Sequence, residues 1–290
     1  MLITGDYVRK LLPVYNQEQH KYDRGKILIL GGSKGMTGAP SLSAYAALRT
    51  GCGMVIAGIP ESLNGIMEVK LTEAMTLPLY EDEGHFAPDA YKKALEFAEG
   101  CDCVAVGMGG GRNRGLKKIV TEFLRDYDKT MLIDADGINV LAEMVYRLEK
   151  TKAKVILTPH IGEFSRLTGL TKEEILDDRK NIAKSFAEKY NAVLVLKGKN
   201  TIVTDGDRIY ENTTGNEGMA TGGSGDVLSG MISAFAAQGL ETFDSAVAGV
   251  YLHGLAGDIA KEKNTVYSVI ASDIIDNIPC AFKRLTEEIK

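Results

Sequence analysis

Lys26-Ile-Leu-Ile-Leu30, followed at once by Gly31-Gly-Ser-Lys-Gly-Met-Thr-Gly-Ala39, decides the fold class. Four apolar residues behind a lysine read as a strand buried on both faces, and the glycines after them as its exit turn. The small residues beyond Ala39 then read as a helix lying close against the sheet. The unit recurs: β-rich runs at Met54–Ile59, Cys103–Val106, Met131–Asp134, Val155–Thr158 and Val193–Lys197 are mostly separated by stretches of helical period. Such alternation predicts βαβ units and a mostly parallel sheet with helices on both faces, an α/β fold. Thr201–Thr204 and Arg208–Tyr210 are joined by Asp205-Gly-Asp207, which reads as a hairpin and makes the sheet mixed at one edge.

Two helices carry clear signals. Thr171-Lys-Glu-Glu174 is a capping box, and Ile175, Ile182, Phe186 and Tyr190 continue from it along one face. Val227, Leu228, Met231, Ile232 and Phe235 form an apolar stripe, predicting a helix that begins close to Asp226. The 290 residues show neither a polar linker nor an internal repeat, so one domain over 1–290 is expected. With 34 basic against 39 acidic residues the net charge is −5, which gives no field that attracts nucleic acid or anionic membrane. No leader pattern opens the chain and no apolar run approaches the ~18 residues of a membrane span, so a cytoplasmic location is expected. Cys52, Cys101, Cys103 and Cys280 contain no C-x-x-C pair and are expected to be buried reduced thiols, with neither zinc nor disulfides.

The strongest chemical signal is Asn216-Glu-Gly-Met-Ala-Thr-Gly-Gly-Ser-Gly-Asp226, which opens directly into the apolar helix. N–H groups in a first helical turn have no intrahelical partner, and glycines let an anion approach them. Gly222, Gly223, Ser224 and Gly225 therefore form a candidate anion hole for phosphate. A carboxylate there repels phosphate, so Asp226 earns its place only by handling a proton or a metal, and it is the candidate general base. Without a function, it is a helix-start acid in a glycine-rich loop.

Three other strand ends carry polar groups, where α/β folds place ligands. Lys197-Gly198-Lys199-Asn200-Thr201 follows one strand, and either lysine can meet phosphate as a point charge; the plain alternative is a solvated turn. Thr158-Pro159-His160-Ile161-Gly162-Glu163 sets a histidine and a carboxylate three residues apart, on one face if a helix begins there. Asp134-Ala-Asp136-Gly-Ile-Asn139 offers paired acids for metal or hydroxyl contacts. Gly107-Met-Gly-Gly-Gly111 is a further loop that allows close backbone approach. Neither this loop nor Gly31–Ala39 fits the Rossmann or Walker pattern in register. Gly31-Gly-Ser33-Lys-Gly35 does fit G-x-S-x-G, and Asp134 with His160 or His253 would complete a hydrolase triad, but no upstream strand is present to supply an oxyanion donor.

In one order along the chain stand His20-Lys21 with Gly25, Gly31-Gly-Ser33 with Gly38-Ala39, Gly107–Gly111, Asp134-Ala-Asp136 with Asn139, Thr158–Glu163, Lys197-Gly198 with Thr201, and Asn216–Asp226. That order resembles the ADP-dependent NAD(P)H-hydrate dehydratases, from about Thr4 to near the C-terminus. The resemblance implies a ribokinase-like three-layer α/β/α sandwich with a mostly parallel central sheet. It also implies a lyase that spends a nucleotide phosphate to dehydrate (S)-NADHX or (S)-NADPHX to NADH or NADPH. Carried over by position, Ala39, Gly109 and Gly111, Asn139, His160 and Asp226 contact the hydrated dinucleotide. Lys197, Gly198, Lys199, Asn200, Thr201 and Gly225 hold the adenine nucleotide. Mg²⁺ bridging phosphate oxygens is expected, with Glu163 an indirect holder, and so are a homo-oligomer, a tetramer by preference, and a separate epimerase. Glu217 stands where the family often has proline, and Gly110 where a larger residue is common. Two competing readings are a ribokinase-fold kinase acting on a small alcohol or vitamin precursor, and a nucleotide-binding regulator without turnover.

Overall fold

The computed structural model describes residues 1–287. Its strands are β1 (Lys26–Leu30), β2 (Met54–Pro60), β3 (Met75–Leu79), β4 (Glu81–Asp82), β5 (His85–Phe86), β6 (Cys103–Val106), β7 (Thr130–Ile133), β8 (Lys154–Leu157), β9 (Val193–Leu196), β10 (Thr201–Thr204) and β11 (Ile209–Asn212). Its α-helices are α1 (Gly5–Leu11), α2 (Gly38–Arg49), α3 (Asn64–Lys70), α4 (Ala90–Ala98), α5 (Arg114–Asp126), α6 (Ala135–Leu141), α7 (Ile161–Thr168), α8 (Lys172–Asp177), α9 (Arg179–Tyr190), α10 (Ser224–Ala237), α11 (Thr242–Lys263) and α12 (Ala271–Glu287).

A nine-stranded sheet in the order β11-β10-β9-β8-β7-β6-β1-β2-β3 forms the middle layer, and β4 pairs with β5 in a separate small hairpin. All neighbours from β9 to β3 run parallel; β10 alone is reversed, pairing antiparallel with both β9 and β11. The expected edge hairpin is present, with its second strand at Ile209–Asn212 rather than Arg208–Tyr210. Arg208 instead closes the turn, its backbone N–H donating to Asp205 Oδ1 at 2.7 Å.

Alternate residues of one strand serve opposite cores. Ile27 and Ile29 join the cluster under α2, α10, α11 and α12, while Leu28 and Leu30 join the one under α4, α5, α7 and α9. Burial on both faces is why these strands read as continuous apolar runs. Pro78 lies in β3, a strand absent from the sequence reading; it is tolerated because β3 is an edge. The helix expected to run on from Thr171 breaks in two at Asp178, whose φ/ψ of −142/52° is not helical. The break lets Arg179 Nη1 reach the Lys199 carbonyl at 2.9 Å. Cys52, Cys101 and Cys103 are buried, and burial raises the thiol pKa of Cys52 to about 12 and of Cys101 to about 11. Cys280 departs from the expectation by being partly exposed.

The strand order contains a switch point. From β1 the chain builds outward through β2 to β3, then returns to place β6 on the other side of β1 and proceeds to β11. Such a point is the usual ligand crevice of open α/β sheets, and here it is bordered by the loops leaving β1 and β6, which lead to helices on opposite faces, α2 and α5. These are the two glycine loops, 31–39 and 107–111.

Glycine also sets how closely the helices stack. A Cβ at Gly230 of α10 would lie 2.2 Å from the Ser43 carbonyl oxygen of α2, and one at Gly249 of α11 would lie 2.5 Å from Ile232 Cγ1 of α10. Gly230→Val should force α2 and α10 apart and lower stability by about 2–3 kcal/mol, read as a reduced urea midpoint at unchanged m-value.

Candidate functional site

The ends of five strands, β1, β6, β7, β8 and β9, and the start of α10 supply the residues of the site. Lys197, just past β9, reaches Asp134, just past β7, with Nζ 2.8 Å from Oδ1. Asp134 is fully buried, and its other oxygen accepts from Ser229 Oγ of α10 at 2.8 Å. Burial opposes the charge on Lys197, yet Asp134 and Glu163 outweigh it and hold the ammonium above its ordinary pKa, so it stays a cation. A Cβ at Gly225 would lie 3.3 Å from Lys197 Nζ, so glycine at this position lets the α10 start descend onto the cation. The backbone after Asp134 is strained, with Ala135 at φ +49°.

Helix α10 begins at Ser224, two residues before the expected point, behind Gly223 in a left-handed conformation at φ +92°. Asp226 is thus its third residue, partly exposed, near the pair formed by buried Asp134 and partly buried Lys197. Burial, then the neighbouring Asp134 charge, raise its carboxyl pKa to about 7, and Lys197 only partly offsets them. A carboxylate tuned near neutrality in the first turn of a helix can accept a proton in the pH range of the cell.

His160 and Glu163 do share the start of α7, as a reciprocal cap. His160 Nδ1 accepts from Gly162 N at 2.9 Å and Glu163 N at 3.3 Å, while the His160 N–H donates to Glu163 Oε2 at 2.8 Å. Burial and then Lys197 keep the imidazole below its ordinary pKa, leaving an exposed neutral ring whose Nδ1 is taken. Burial raises the Glu163 carboxyl. Committed to its cap and 4.0 Å from Lys197 Nζ, Glu163 is poorly suited to ligate a metal directly. Among the described residues no group of three or more His, Cys, Asp or Glu could hold a metal ion.

The crevice side is built from backbone. Ser33 Oγ donates to the Gly109 carbonyl at 2.9 Å, and a Cβ at Gly109 would lie 3.0 Å from that of Ala39, so the two glycine loops touch. Gly111 N donates to Asp136 Oδ2 at 2.9 Å. Asn139 is held between Asp136 Oδ1 at 3.3 Å and Arg166 Nε at 2.8 Å, which ties its amide to protein partners. On the other side, Asn200 takes the left-handed conformation at φ +55°, and Thr201 Oγ1 donates to the Gly198 carbonyl at 3.0 Å, closing the turn. Lys199 and Gly198 are exposed there. Gly222 is exposed at the mouth and Ser224 buried beneath it.

The hydrolase triad fails on this geometry. Ser33 is buried and spends its hydroxyl on Gly109, Asp134 is paired with Lys197, and His253 Nε2 bonds the Ser224 carbonyl at 3.0 Å.

The pattern described as NAD(P)H-hydrate dehydratase matches residues 27–280. The chain belongs to that family. It is 40% identical over its whole length to a bifunctional NAD(P)H-hydrate repair enzyme of Moorella thermoacetica, of which it spans 55%. It is 37% identical over 85% of its length to an ADP-dependent (S)-NAD(P)H-hydrate dehydratase of Neisseria meningitidis, covering 80% of that protein. The ADP/ATP-dependent NAD(P)H-hydrate dehydratase of Bacillus subtilis, co-crystallised with ATP and Mg²⁺, superposes with a TM-score of 0.85 at 29% identity, over 98% of both chains. The three-layer architecture is that of the ribokinase-like fold. The chain thus spans about half the length of several curated relatives.

Both departures from the dehydratase pattern have local consequences. Glu217 opens a single 3₁₀ turn behind the Asn216 cap and pairs with Lys261 at 2.9 Å. A Cβ at Gly110 would lie 3.0 Å from Leu116 Cδ2, so a larger residue would need Leu116 to yield. The sequence reading missed Ser229, which orients Asp134, and Ser43, whose Oγ donates to the Asp226 carbonyl at 2.9 Å. A lone serine in a helical stripe carries no distinguishing pattern.

The raised carboxyl of Asp226 makes stability depend on pH. The folded state favours the protonated acid, so this contribution is complete below about pH 4 and is lost as pH rises through about 7. Asp226→Asn should therefore unfold at a higher temperature than the parent at pH 8, and at the same temperature at pH 4, in paired calorimetric scans.

Proposed function

We propose that this chain dehydrates the hydrated forms of NADH and NADPH at the expense of ADP, releasing AMP and phosphate, and that residues 1–290 act as one catalytic unit. The observation that carries this reading is Asp226, a carboxylate whose pKa is raised to about 7 where a glycine-rich helix start meets the Lys197–Asp134 pair. The names of the Neisseria and Bacillus relatives supply the substrate and the nucleotide.

The chemistry follows from the groups present. The ring hydroxyl of the hydrate lies in the crevice against Ala39, Gly109 and Gly111, with His160 at its rim. As its oxygen attacks the β-phosphorus of ADP, Asp226 takes the proton and the bond to AMP breaks. The backbone amides of Gly222, Gly223, Ser224 and Gly225 and the fixed charge of Lys197 stabilise the charge on the transferred group. The turn over Lys197–Thr201 holds the nucleotide. Phosphate is then a good leaving group: the ring nitrogen expels it, and loss of a proton from the adjacent carbon restores the reduced ring. Mg²⁺ bound with the nucleotide would neutralise charge on the phosphates, and Glu163, which caps α7 through Oε2, would be its indirect holder.

Purified protein mixed with hydrated NADH, Mg²⁺ and ADP should return NADH absorbance with equimolar phosphate. A folded protein that binds ADP but gives neither signal with ADP or ATP would remove the dehydratase reading. Phosphorylation of a small alcohol instead would favour the kinase reading. Asp226→Asn should lower turnover by about 10²–10⁴-fold while leaving ADP affinity within a few-fold, measured by steady-state rates and titration calorimetry.

Wild-type turnover should also fall as pH drops below about 7, where Asp226 becomes protonated. A rate that stays flat from pH 8 to pH 5 would exclude Asp226 as the base.

A further inference from the structure

The glycine-rich segment between β11 and α10 rests on the side of α11, and two residues of that helix grip it. Asp258 accepts from Gly215 N through Oδ2 at 2.9 Å and from Asn216 Nδ2 through Oδ1 at 2.9 Å. Asn216 Oδ1 in turn accepts from Gly218 N at 3.0 Å, so the carboxylate fixes the cap that starts the turn. At the far end, His253 Nε2 lies 3.0 Å from the Ser224 carbonyl. A carbonyl can only accept, so Nε2 carries the proton. The ring is buried, and burial lowers its pKa to about 4, which leaves it a neutral donor.

Between the grips the face of the helix that meets the segment is formed by Gly254 and Gly257. A Cβ at Gly254 would stand 2.2 Å from Thr214 Oγ1, and one at Gly257 would stand 2.2 Å from Met219 Sδ. Positions 253, 254, 257 and 258 fall on one face of an α-helix, so the segment meets a flat strip of backbone with a grip on each side.

We infer that His253 and Asp258 are positioning residues for phosphoryl transfer, holding the 215–226 segment so that its amides and Asp226 are in place before the nucleotide arrives. Gly215 and Gly223 sit at φ +101° and +92°, and glycine-rich backbone loses much conformational freedom when it is ordered. An unheld segment would have to be ordered anew in every transition state, whereas a held one stabilises developing charge without reorganisation. The inference rests on the proposed dehydratase reaction for its rate, but not for its geometry.

The test compares His253→Ala, His253→Gln, Asp258→Ala and Asp258→Asn in the full chain. It uses turnover with hydrated NADH and ADP, and amide hydrogen exchange of the ligand-free protein. His253→Ala and Asp258→Ala should each lower kcat on the order of 10²-fold, with KM for the hydrate within about threefold. His253→Gln, whose amide can still donate to the Ser224 carbonyl, should recover to within about fivefold of the parent. Exchange should quicken at residues 222–226 in His253→Ala and at 215–218 in Asp258→Ala, while the strands keep parental protection. Asp258→Asn keeps one acceptor and should lie between parent and alanine, which covers the case in which Asp258→Ala does not fold. Unchanged kcat in the folded variants, equal loss in His253→Gln and His253→Ala, or unchanged exchange in the segment would each overturn the inference. If the parent shows no dehydration, the reaction is refuted, and the exchange pattern still decides whether α11 holds the segment.

Discussion

The ion pair between Lys197 and Asp134 is the constraint on which the site depends. It ties the ends of two strands that flank β8, and it sits where the start of α10 comes down onto the sheet. A buried carboxylate without its cation would be strongly unfavourable, so the two strand ends and the helix start must keep one relative placement. Ser229, one helical turn beyond Asp226, reaches the second oxygen of Asp134 and fixes the rotation of α10 about its axis. Asp226 is thereby held in a largely desolvated position close to the buried Asp134 charge, and these two causes, burial first, raise its pKa against the partial offset of Lys197.

Around that rigid point the loops are rich in glycine and present mostly backbone. The loops leaving β1 and β6, the turn after β9 and the start of α10 supply glycines and N–H groups, while the side chains nearby brace one another. Glu163 and His160 cap one helix, Asp136 holds Gly111, and Asn139 is held by Arg166. This division suits a phosphoryl-transfer site, because amides in fixed positions stabilise charge in transit without pulling on the nucleophile.

Much of this was legible in the chain. The strand at Lys26–Leu30, the hairpin around Asp205-Gly-Asp207 and the capping box at Thr171 are local patterns with local physical causes, and each appears close to its expected place. The helix start behind Gly222 and Gly223 was readable because glycines precede an apolar stripe of helical period. The break at Asp178 was not legible, because it serves Arg179 in reaching the Lys199 carbonyl twenty residues away. The edge strand at Met75–Leu79 was hidden by Pro78, which local rules count against a strand.

By itself the sequence determined the alternation of strands and helices, the positions of the glycine-rich loops and the presence of an acid, Asp226, in the first turn of the helix behind them. These follow from periodicity, from glycine and from the ends of helices, all of which act over a few residues. Only the tertiary structure decided which strand ends meet. It converted Asp134 from a free acid into the partner of Lys197, joined Glu163 to His160 in a reciprocal cap, and moved His253 from a triad candidate to a hydrogen bond with the Ser224 carbonyl at the start of α10. Those roles depend on distances between residues tens of positions apart, fixed when the sheet order places β6 beside β1 and packs α10 and α11 over them.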